Sequence, residues 1–353
     1  MRITRRHFIN YAVGGGVLAL LKQGIGYAHA QEFVSEDVRT PINIIIPKDY
    51  QPPRDDYSGR YRAKLSRAAL EYLEENYSER RLPVWEVTFD EVDLEKRVTN
   101  IVHWIMLAVQ KYVDIYPLDP AWILAQIMKE SYFYEFAISK ALAVGICQFI
   151  QPTAKAHGIL CAGDKPSHSR PPYKLPSYAG SLKKYYRFRR ERRKYERSNE
   201  PRPHLSEREA IKIIAEGKAG QYQKTARKYL KFWEKVAEYD RKVVQARDQY
   251  REYLEANVKG RDIFDDNDLR MILKFDERFT YKKPILAMVK MLSKGLRARN
   301  GNIVAATVGF NAGLSSTKGF GAYEPYGRIP ASEQATTYIS HVLINHYEIV
   351  RRM

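Results

Sequence analysis

The sequence predicts an all-α fold into which a long antiparallel helical hairpin is inserted. Apolar residues recur at helical spacing in one segment after another, which indicates amphipathic helices. Several of these segments begin with a capping pattern, in which Ser, Thr or Asp precedes the first apolar residue. Between about 219 and 258, the apolar residues also follow the alternating four-three spacing of a coiled-coil seam.

The composition of the 353 residues limits the class of protein. With 44% hydrophobic and 12% aromatic residues, the chain can bury a core in one large domain or two smaller ones, which excludes global disorder. The 59 basic and 41 acidic residues give a net charge of +18, which favours an anionic partner. Nucleic acid, a membrane surface and an acidic polymer all fit, and charge alone does not choose among them.

Residues 1–30 have the features of an export signal. A basic start with Arg5 and Arg6 precedes the apolar run of residues 11–21, which is too short to span a bilayer, and residues 28–30 have the small-x-small form of a cleavage site. The paired arginines resemble the twin-arginine signal, although Asn10 replaces its usual Lys. The sequence therefore predicts a periplasmic or secreted protein, with an uncleaved membrane anchor as the alternative.

Export changes which partners and bonds are expected. Nucleic acid is no longer an expected partner, and the cell wall, with its carboxylate-bearing peptides, becomes the favoured one. Cys147 and Cys161 lack the spacing of metal ligands, so we expect neither a metal nor another cofactor. An exported protein can join these two cysteines in a disulfide, and two buried free thiols are the equal alternative.

The first half of the chain is predicted to hold a linker followed by helices. Residues 31–57 form the extended linker, with one strand-like apolar run at residues 42–46. Residues 58–163 form the first half of the main domain, in which Asp119 caps a helix that has Pro at its first position. The predicted helices cover about residues 58–77, 92–113, 120–131 and 152–158.

Residues 164–283 are predicted to form the inserted hairpin, because the character of the chain changes there. This third of the chain has 32 basic and 19 acidic residues and therefore carries most of the net charge. A basic, aromatic helix is predicted over 178–197 and a long helix over 219–258, with Trp233 in its seam. The hairpin at 178–258 is a candidate surface for an anionic polymer, a membrane or a protein partner, with a merely solvated charged face as the alternative.

Residues 284–353 are predicted to complete the main domain. Helices are expected from Pro284, from Ile303 to Gly313 and over about 332–350. The four aspartates between residues 262 and 268 lack the glycine and the terminal Glu of an EF-hand loop, so calcium binding is a weak alternative there.

Glu130 is the candidate catalytic residue. A glycosidase needs a carboxylic acid that stays protonated until it donates to the leaving oxygen, so the group should stand beside an apolar wall. Glu130 lies near the end of a hydrophobic helix and is followed by Ser131 and a cluster of aromatic residues. A single Glu in this position is more often a solvated edge residue, so its neighbours must support the assignment.

Three ordered patterns supply that support. The chain reads Glu130-Ser131-Tyr132-Phe133, then Ala137-Ile138-Ser139, Gly145-Ile146-Cys147-Gln148, Val308-Gly309-Phe310-Asn311-Ala312-Gly313, and Ile329-Pro330 before Tyr338. Over roughly residues 115–160 and 284–350 the chain therefore resembles the soluble lytic murein transglycosylases, the SLT-domain enzymes of glycoside hydrolase family 23 in the lysozyme-like superfamily. The resemblance implies a lysozyme-like helical domain of the goose type.

The resemblance also implies an activity and roles for single residues. Glu130 would protonate the bond between N-acetylmuramic acid and N-acetylglucosamine in peptidoglycan, and would then accept a proton so that a 1,6-anhydro end forms without water. Ser131, Gln148 and Asn311 would orient the Glu or the sugars, Phe310 would contact substrate, and Tyr338 would line the cleft. A lysozyme-type hydrolase on the same fold and a non-catalytic module for wall binding or assembly are the alternatives.

Each of these residues also has a purely structural interpretation. Gln148 can satisfy buried backbone groups, Asn311 can end a helix, and Tyr338 can be part of the core. The sequence departs from the family pattern in two places. Phe310 stands where the family has Tyr, so a hydrogen bond from that phenol to the catalytic carboxyl is lost. Glu333 is one residue out of register with the usual Glu of the third pattern.

Overall fold

A computed structural model describes residues 44–54, 59–202 and 206–353, apart from the side chain of Tyr323. The predicted export signal lies outside these residues, as does most of the predicted linker. The described residues contain eleven α-helices, short 3₁₀ turns and no β-sheet, so the all-α prediction is confirmed. The helices are α1 (Arg60–Tyr77), α2 (Leu94–Tyr112), α3 (Pro120–Ser131), α4 (Gln151–Ala156), α5 (Ser181–Asn199), α6 (Glu207–Ala215), α7 (Ala219–Val258), α8 (Asp266–Phe275), α9 (Lys282–Ala298), α10 (Ile303–Ala312) and α11 (Glu333–Val350).

The chain forms two compact units. The main unit contains the described residues up to Cys161 together with Asp262–Met353, and the second unit contains Ala162–Arg261. Residues 262–283, which the sequence assigned to the inserted hairpin, lie in the main unit. They are held there because the Glu277 amide donates to the Leu160 carbonyl at 2.9 Å. The domain boundaries given above otherwise stay predictions.

Helix α3 is the central helix of the main unit. The Asp119 side chain accepts a hydrogen bond from the Ala121 amide at 2.9 Å, and Pro120 occupies the first turn, so the sequence starts the helix where predicted. Its residues from Pro120 to Met128 are all buried, and α3 packs against α2 and α11. Burial of each aliphatic side chain contributes about 1.5–3 kcal/mol to the stability of the fold. Helix α3 is therefore a rigid support for the residues of its last turn.

The second unit is built on α5 and α7, which pack against each other in opposite directions. Arg192 pairs with Asp240 at 2.6 Å, while the later residue Tyr195 stacks on the earlier residue Phe232 at 5.7 Å. The predicted place of Trp233 in the seam is wrong. Phe232 is buried and Trp233 is 57% exposed, because successive residues of a helix point about 100° apart and the packed face of α7 contains Phe232.

The aspartates between residues 262 and 268 cap the next helix. Asp265 accepts hydrogen bonds from the amides of Asn267 and Asp268, both at 2.9 Å, at the start of α8. The Asp262 amide in turn donates to the Asp268 carboxylate at 2.9 Å. Capping by acidic residues at a helix start explains this cluster without a metal.

Candidate active site

The chain turns sharply where α3 ends, immediately after Glu130. Tyr132 and Phe133 both have a left-handed backbone, with φ of 49° and 66°. Phe133 is buried, and the Trp85 indole donates to the Tyr132 carbonyl at 2.8 Å, so tertiary contacts hold two residues that lack glycine's freedom in this region. The turn leaves Glu130 half-buried on the last turn of a rigid helix.

Tyr338 of α11 reaches the carboxyl group of Glu130. Its hydroxyl donates to Glu130 Oε1 at 2.6 Å and accepts a hydrogen bond from the Gln126 amide Nε2 at 3.0 Å. Gln126 lies one turn before Glu130 on α3, and both Gln126 and Tyr338 are buried. Tyr338 therefore orients the Glu130 carboxyl group, and Gln126 orients the Tyr338 hydroxyl. Tyr338 lies on a helix about 200 residues later in the chain.

The environment raises the pKa of Glu130 to about 7. Burial of the carboxyl group is the largest cause, and it outweighs two effects that lower the pKa, the hydrogen bond from Tyr338 and the positive charge of Lys129. A carboxyl group with this pKa is protonated in a large fraction of molecules at neutral pH. It can therefore donate a proton and take one back, which suits a general acid that later acts as a base.

Two neighbouring titratable side chains, those of Lys129 and His341, are half-buried. Burial lowers the pKa of Lys129. Burial and the charge of Lys129 lower the pKa of His341 to about 4, so His341 is neutral at pH 7. Lys129 therefore supplies the positive charge that favours ionisation of Glu130, and its effect is smaller than that of burial.

Ser131 and Gln148 both make hydrogen bonds to the backbone. The buried Ser131 hydroxyl donates to the carbonyl of Ile146 at 3.1 Å, which ties the segment before Gln148 to the end of α3. The Gln148 amide Nε2 donates to the Gly145 carbonyl at 2.9 Å, and its backbone has a φ of 49°. Both side chains thus brace the turn beside Glu130.

Phe310 and Asn311 lie at the end of α10. Phe310 is half-buried, and its ring centroid is 5.6 Å from that of Phe149. Asn311 is exposed, and the helix ends at the next residue, Ala312, before Gly313, which has a φ of 86°. Position 310 has no phenol to bind the Glu130 carboxyl group. The hydrogen bond to that carboxyl comes from the hydroxyl of Tyr338 instead.

Part of this arrangement lies in a segment that matches a known family. Residues 108–179 match the family described as the Transglycosylase SLT domain, and this range contains Glu130, Ser131 and Gln148. Residues 108–179 are SLT-domain sequence. Such a domain indicates lytic transglycosylase activity on peptidoglycan, a polymer outside the cytoplasm. No curated protein and no solved structure matches the chain.

One position of the SLT domain requires glycine. Gly145 has a φ of 78°, and a Cβ atom there would lie 1.9 Å from the carbonyl oxygen of Arg278. The buried Arg278 guanidinium pairs with Asp276 at 2.6 Å and donates to the Phe149 carbonyl at 3.2 Å. Residues 276–278 therefore clamp the turn that follows Glu130 in the SLT domain. Sequence reasoning missed this clamp, because neither residue belongs to a recurring pattern.

A second buried ion pair supports the same region and was also missed. Glu135 is 1% exposed and pairs with Arg97 of α2 at 2.9 Å, while the hydroxyl of Tyr281 lies 3.5 Å from its carboxylate. The sequence around Glu135 does not indicate this ion pair, because Arg97 and Tyr281 lie far from Glu135 in the chain. The pair fixes the backbone immediately after the Tyr132 turn.

Both cysteines are buried free thiols, so no disulfide joins Cys147 to Cys161. Burial, together with the negative charge of Glu130, raises the pKa of Cys147 well above its usual value. In the part of the chain that the structure describes, no group of His, Cys, Asp or Glu could hold a metal ion. Within the same residues, no helix has the length and apolar character needed to cross a membrane.

Proposed function

We propose that this protein is an exported murein lytic transglycosylase in which Glu130 is the catalytic acid and base. The observation that carries the proposal is the carboxyl group of Glu130, held by Tyr338 at 2.6 Å and with a pKa of about 7. In this proposal residues 1–30 direct export, and the enzyme acts in the periplasm or outside the cell. Its substrate is the glycan strand of peptidoglycan.

In the first step Glu130 acts as the acid. Its proton moves to the oxygen that links C1 of N-acetylmuramic acid to C4 of N-acetylglucosamine, and the bond from C1 to that oxygen breaks. The raised pKa supports this step, because a carboxyl group that is protonated near neutral pH donates readily to a leaving oxygen. The hydrogen bond from Tyr338 then stabilises the carboxylate that forms.

In the second step Glu130 acts as the base. The carboxylate takes the proton of the 6-hydroxyl of N-acetylmuramic acid, and that oxygen bonds to C1 to form the 1,6-anhydro ring. Glu130 regains the proton that it gave away, and no water is consumed. A lone carboxyl group suits this sequence: among the described residues, the charged neighbour that shifts its pKa is Lys129 and not a second carboxylate.

The other predicted site residues receive supporting roles. Tyr338 and Gln126 position the carboxyl group, and Ser131 and Gln148 hold the turn beside it. Asn311 is exposed at the end of α10, where its amide is available to a sugar. Phe310 offers an apolar ring against which a sugar face can pack.

The test is digestion of purified peptidoglycan by the wild type and by the Glu130→Gln variant, with the products identified by mass spectrometry. We expect the wild type to release fragments that end in 1,6-anhydro-N-acetylmuramic acid, and Glu130→Gln to lose at least about 100-fold in rate. Gln keeps the size of the side chain and can still accept the hydrogen bond from Tyr338. Glu74→Gln, an exposed change on α1, is the matched control and should keep full activity.

Two outcomes would contradict the proposal. Products with reducing ends would make the protein a lysozyme-type hydrolase on the same fold. Unchanged biological activity of Glu130→Gln, together with no cleavage by the wild type, would make it a non-catalytic module for wall binding.

A further inference from the structure

Helix α5 of the second unit displays one uninterrupted stripe of positive charge. Five basic residues of α5 are spaced at i, i+4, i+7, i+11 and i+14, so they lie on one face of the helix over roughly 21 Å. All five are exposed; they are Lys183, Arg187, Arg190, Lys194 and Arg197. Like charges at these spacings repel and destabilise a helix. The exposed pair of Arg187 with Glu191, at 3.7 Å, offsets little of this. The stripe is therefore unfavourable for the isolated helix, and an anionic partner would compensate for it.

Helix α7 displays an apolar stripe that does not belong to the core of the unit. Leu230 is 63% exposed, Trp233 is 57% exposed and Val244 is 44% exposed. Together with the exposed Ala237 they follow at i, i+3, i+7 and i+14, so they share one face. Neighbouring residues such as Phe232 pack against α5 instead. This stripe leaves large side chains mostly in water, although the edge of the Trp233 ring meets Phe232 at a centroid distance of 5.3 Å.

Helix α6 repeats the combination on a smaller scale. Ile211 and Ile214, three residues apart on one face, are 67% and 68% exposed, and no residue of this helix is buried. Lys212 and Lys218 are exposed beside them. An amphipathic helix that leaves its apolar face uncovered, with lysines beside it, is typical of a surface that meets lipid.

The cations and the apolar residues lie at the same level of the helix pair. Tyr195 stacks on Phe232, so Trp233 of α7 lies at the height of Lys194 and Arg197 of α5. The whole unit, residues 162–261, contains 27 basic and 13 acidic residues. Positive charge and exposed tryptophan, leucine and isoleucine therefore occur in one compact unit.

We propose that the second unit binds the surface of a membrane that contains anionic lipids. In this arrangement Ile211, Ile214, Leu230 and Trp233 enter the headgroup region, while the α5 stripe is attracted to lipid phosphates. A soluble polyanion would pair with the cations and leave the four apolar side chains in water. Arginine and tryptophan also occur in protein interfaces, so a protein partner is the alternative that the vesicle experiment tests. This inference does not depend on the catalytic proposal.

The test is sedimentation of the purified full chain with lipid vesicles. We expect binding to vesicles of phosphatidylcholine mixed with phosphatidylglycerol, little binding to phosphatidylcholine alone, and weaker binding as NaCl is raised.

Trp233→Ser should lower the partition coefficient about tenfold, and Trp233→Phe should restore most of it. Replacing Arg190 and Lys194 with Gln should lower it roughly 30-fold. The matched controls are Leu107→Ser, an exposed apolar change on α2, and Lys64→Gln on α1, which should bind as the wild type does.

Three results would overturn the proposal. The first is no difference between the two vesicle compositions. The second is a Trp233→Ser variant that keeps its helical circular dichroism and binds as well as the wild type. The third is that soluble poly-glutamate removes the protein from vesicles at equal charge concentration, which would identify a polyanion site instead. Glu130→Gln should bind vesicles normally, so loss of cleavage and loss of membrane binding are separable.

Discussion

Removing the hydroxyl group of Tyr338 should move the pH profile of glycan cleavage to higher pH. The hydroxyl donates to Glu130 Oε1 at 2.6 Å, and this hydrogen bond favours the carboxylate and lowers its pKa. In Tyr338→Phe the ring stays and this stabilisation is lost. The pKa of Glu130 therefore rises above its present value of about 7, and the carboxyl group stays protonated over a wider range.

The size of the shift follows from the strength of the bond. A hydrogen bond to a charged group contributes about 1.5–3 kcal/mol, and one pKa unit corresponds to about 1.4 kcal/mol, so the upper limit is about two units. Water can reach the half-buried Glu130 and replace part of the bond, so we expect a shift of about one unit. The maximal rate should fall roughly tenfold, because the carboxylate formed during the reaction loses the same donor.

The assay is release of soluble fragments from purified peptidoglycan between pH 5 and about 9, the range that brackets the relevant pKa values. The wild type should lose half of its activity near the pKa of Glu130, because the acid must be protonated, and Tyr338→Phe should do so about one unit higher. Tyr281→Phe is the matched control. It removes a buried phenol that lies 3.5 Å from Glu135, a carboxylate that is not the proposed catalyst.

A Tyr338→Phe profile that coincides with that of the wild type, or moves to lower pH, would refute the reasoning. Either result would mean that the group observed in the rate profile is not Glu130, or that its proton is not controlled by the phenol. An equal shift in Tyr281→Phe would assign the effect to general destabilisation of the fold.

Three further variants test the structure through urea unfolding. Folding raises the pKa of Glu130, so the folded protein binds more protons than the unfolded chain between pH 4.5 and about 7. The free energy of unfolding of the wild type therefore falls as the pH rises through that range. Glu130→Gln, which has no such group, should be more stable than the wild type by about 2–3 kcal/mol at pH 8 and similar to it at pH 4. Gly145→Ala should cost roughly 3 kcal/mol or more, because its Cβ would lie 1.9 Å from the Arg278 carbonyl oxygen at a positive φ. Arg278→Met should cost about 3–5 kcal/mol, since it leaves the buried Asp276 carboxylate without its guanidinium.

Gly145→Ala and Arg278→Met each have a control variant. Gly158→Ala also has a positive φ, of 70°, but its Cβ would meet nothing within 4 Å, so it should cost only about 1 kcal/mol. Arg67→Met removes the exposed pair with Glu71 and should change stability by less than about 0.5 kcal/mol. Equal losses in the paired variants, or a Glu130→Gln difference that does not depend on pH, would contradict the packing and charge arguments.

Local patterns were sufficient to place most of the helices. A helix is stabilised by contacts between residues three and four apart and by capping at its ends, so Asp119 and Pro120 mark a helix start that the structure places at the same position. The same short-range logic places Glu130 on the last turn of α3. The segment from 266 to 275 was not predicted as a helix, and the structure shows that Asp265 caps it.

The chemistry of Glu130 depends on residues that are distant in sequence. Its pKa reflects burial by the whole main unit and a phenol from Tyr338, and the turn beside it is clamped by the backbone of Arg278. The exposure of Trp233 likewise follows from which face of α7 packs on α5. Helix formation is encoded within a few turns of chain, whereas desolvation, hydrogen bonding across helices and the choice of packed face arise only when distant segments are brought together.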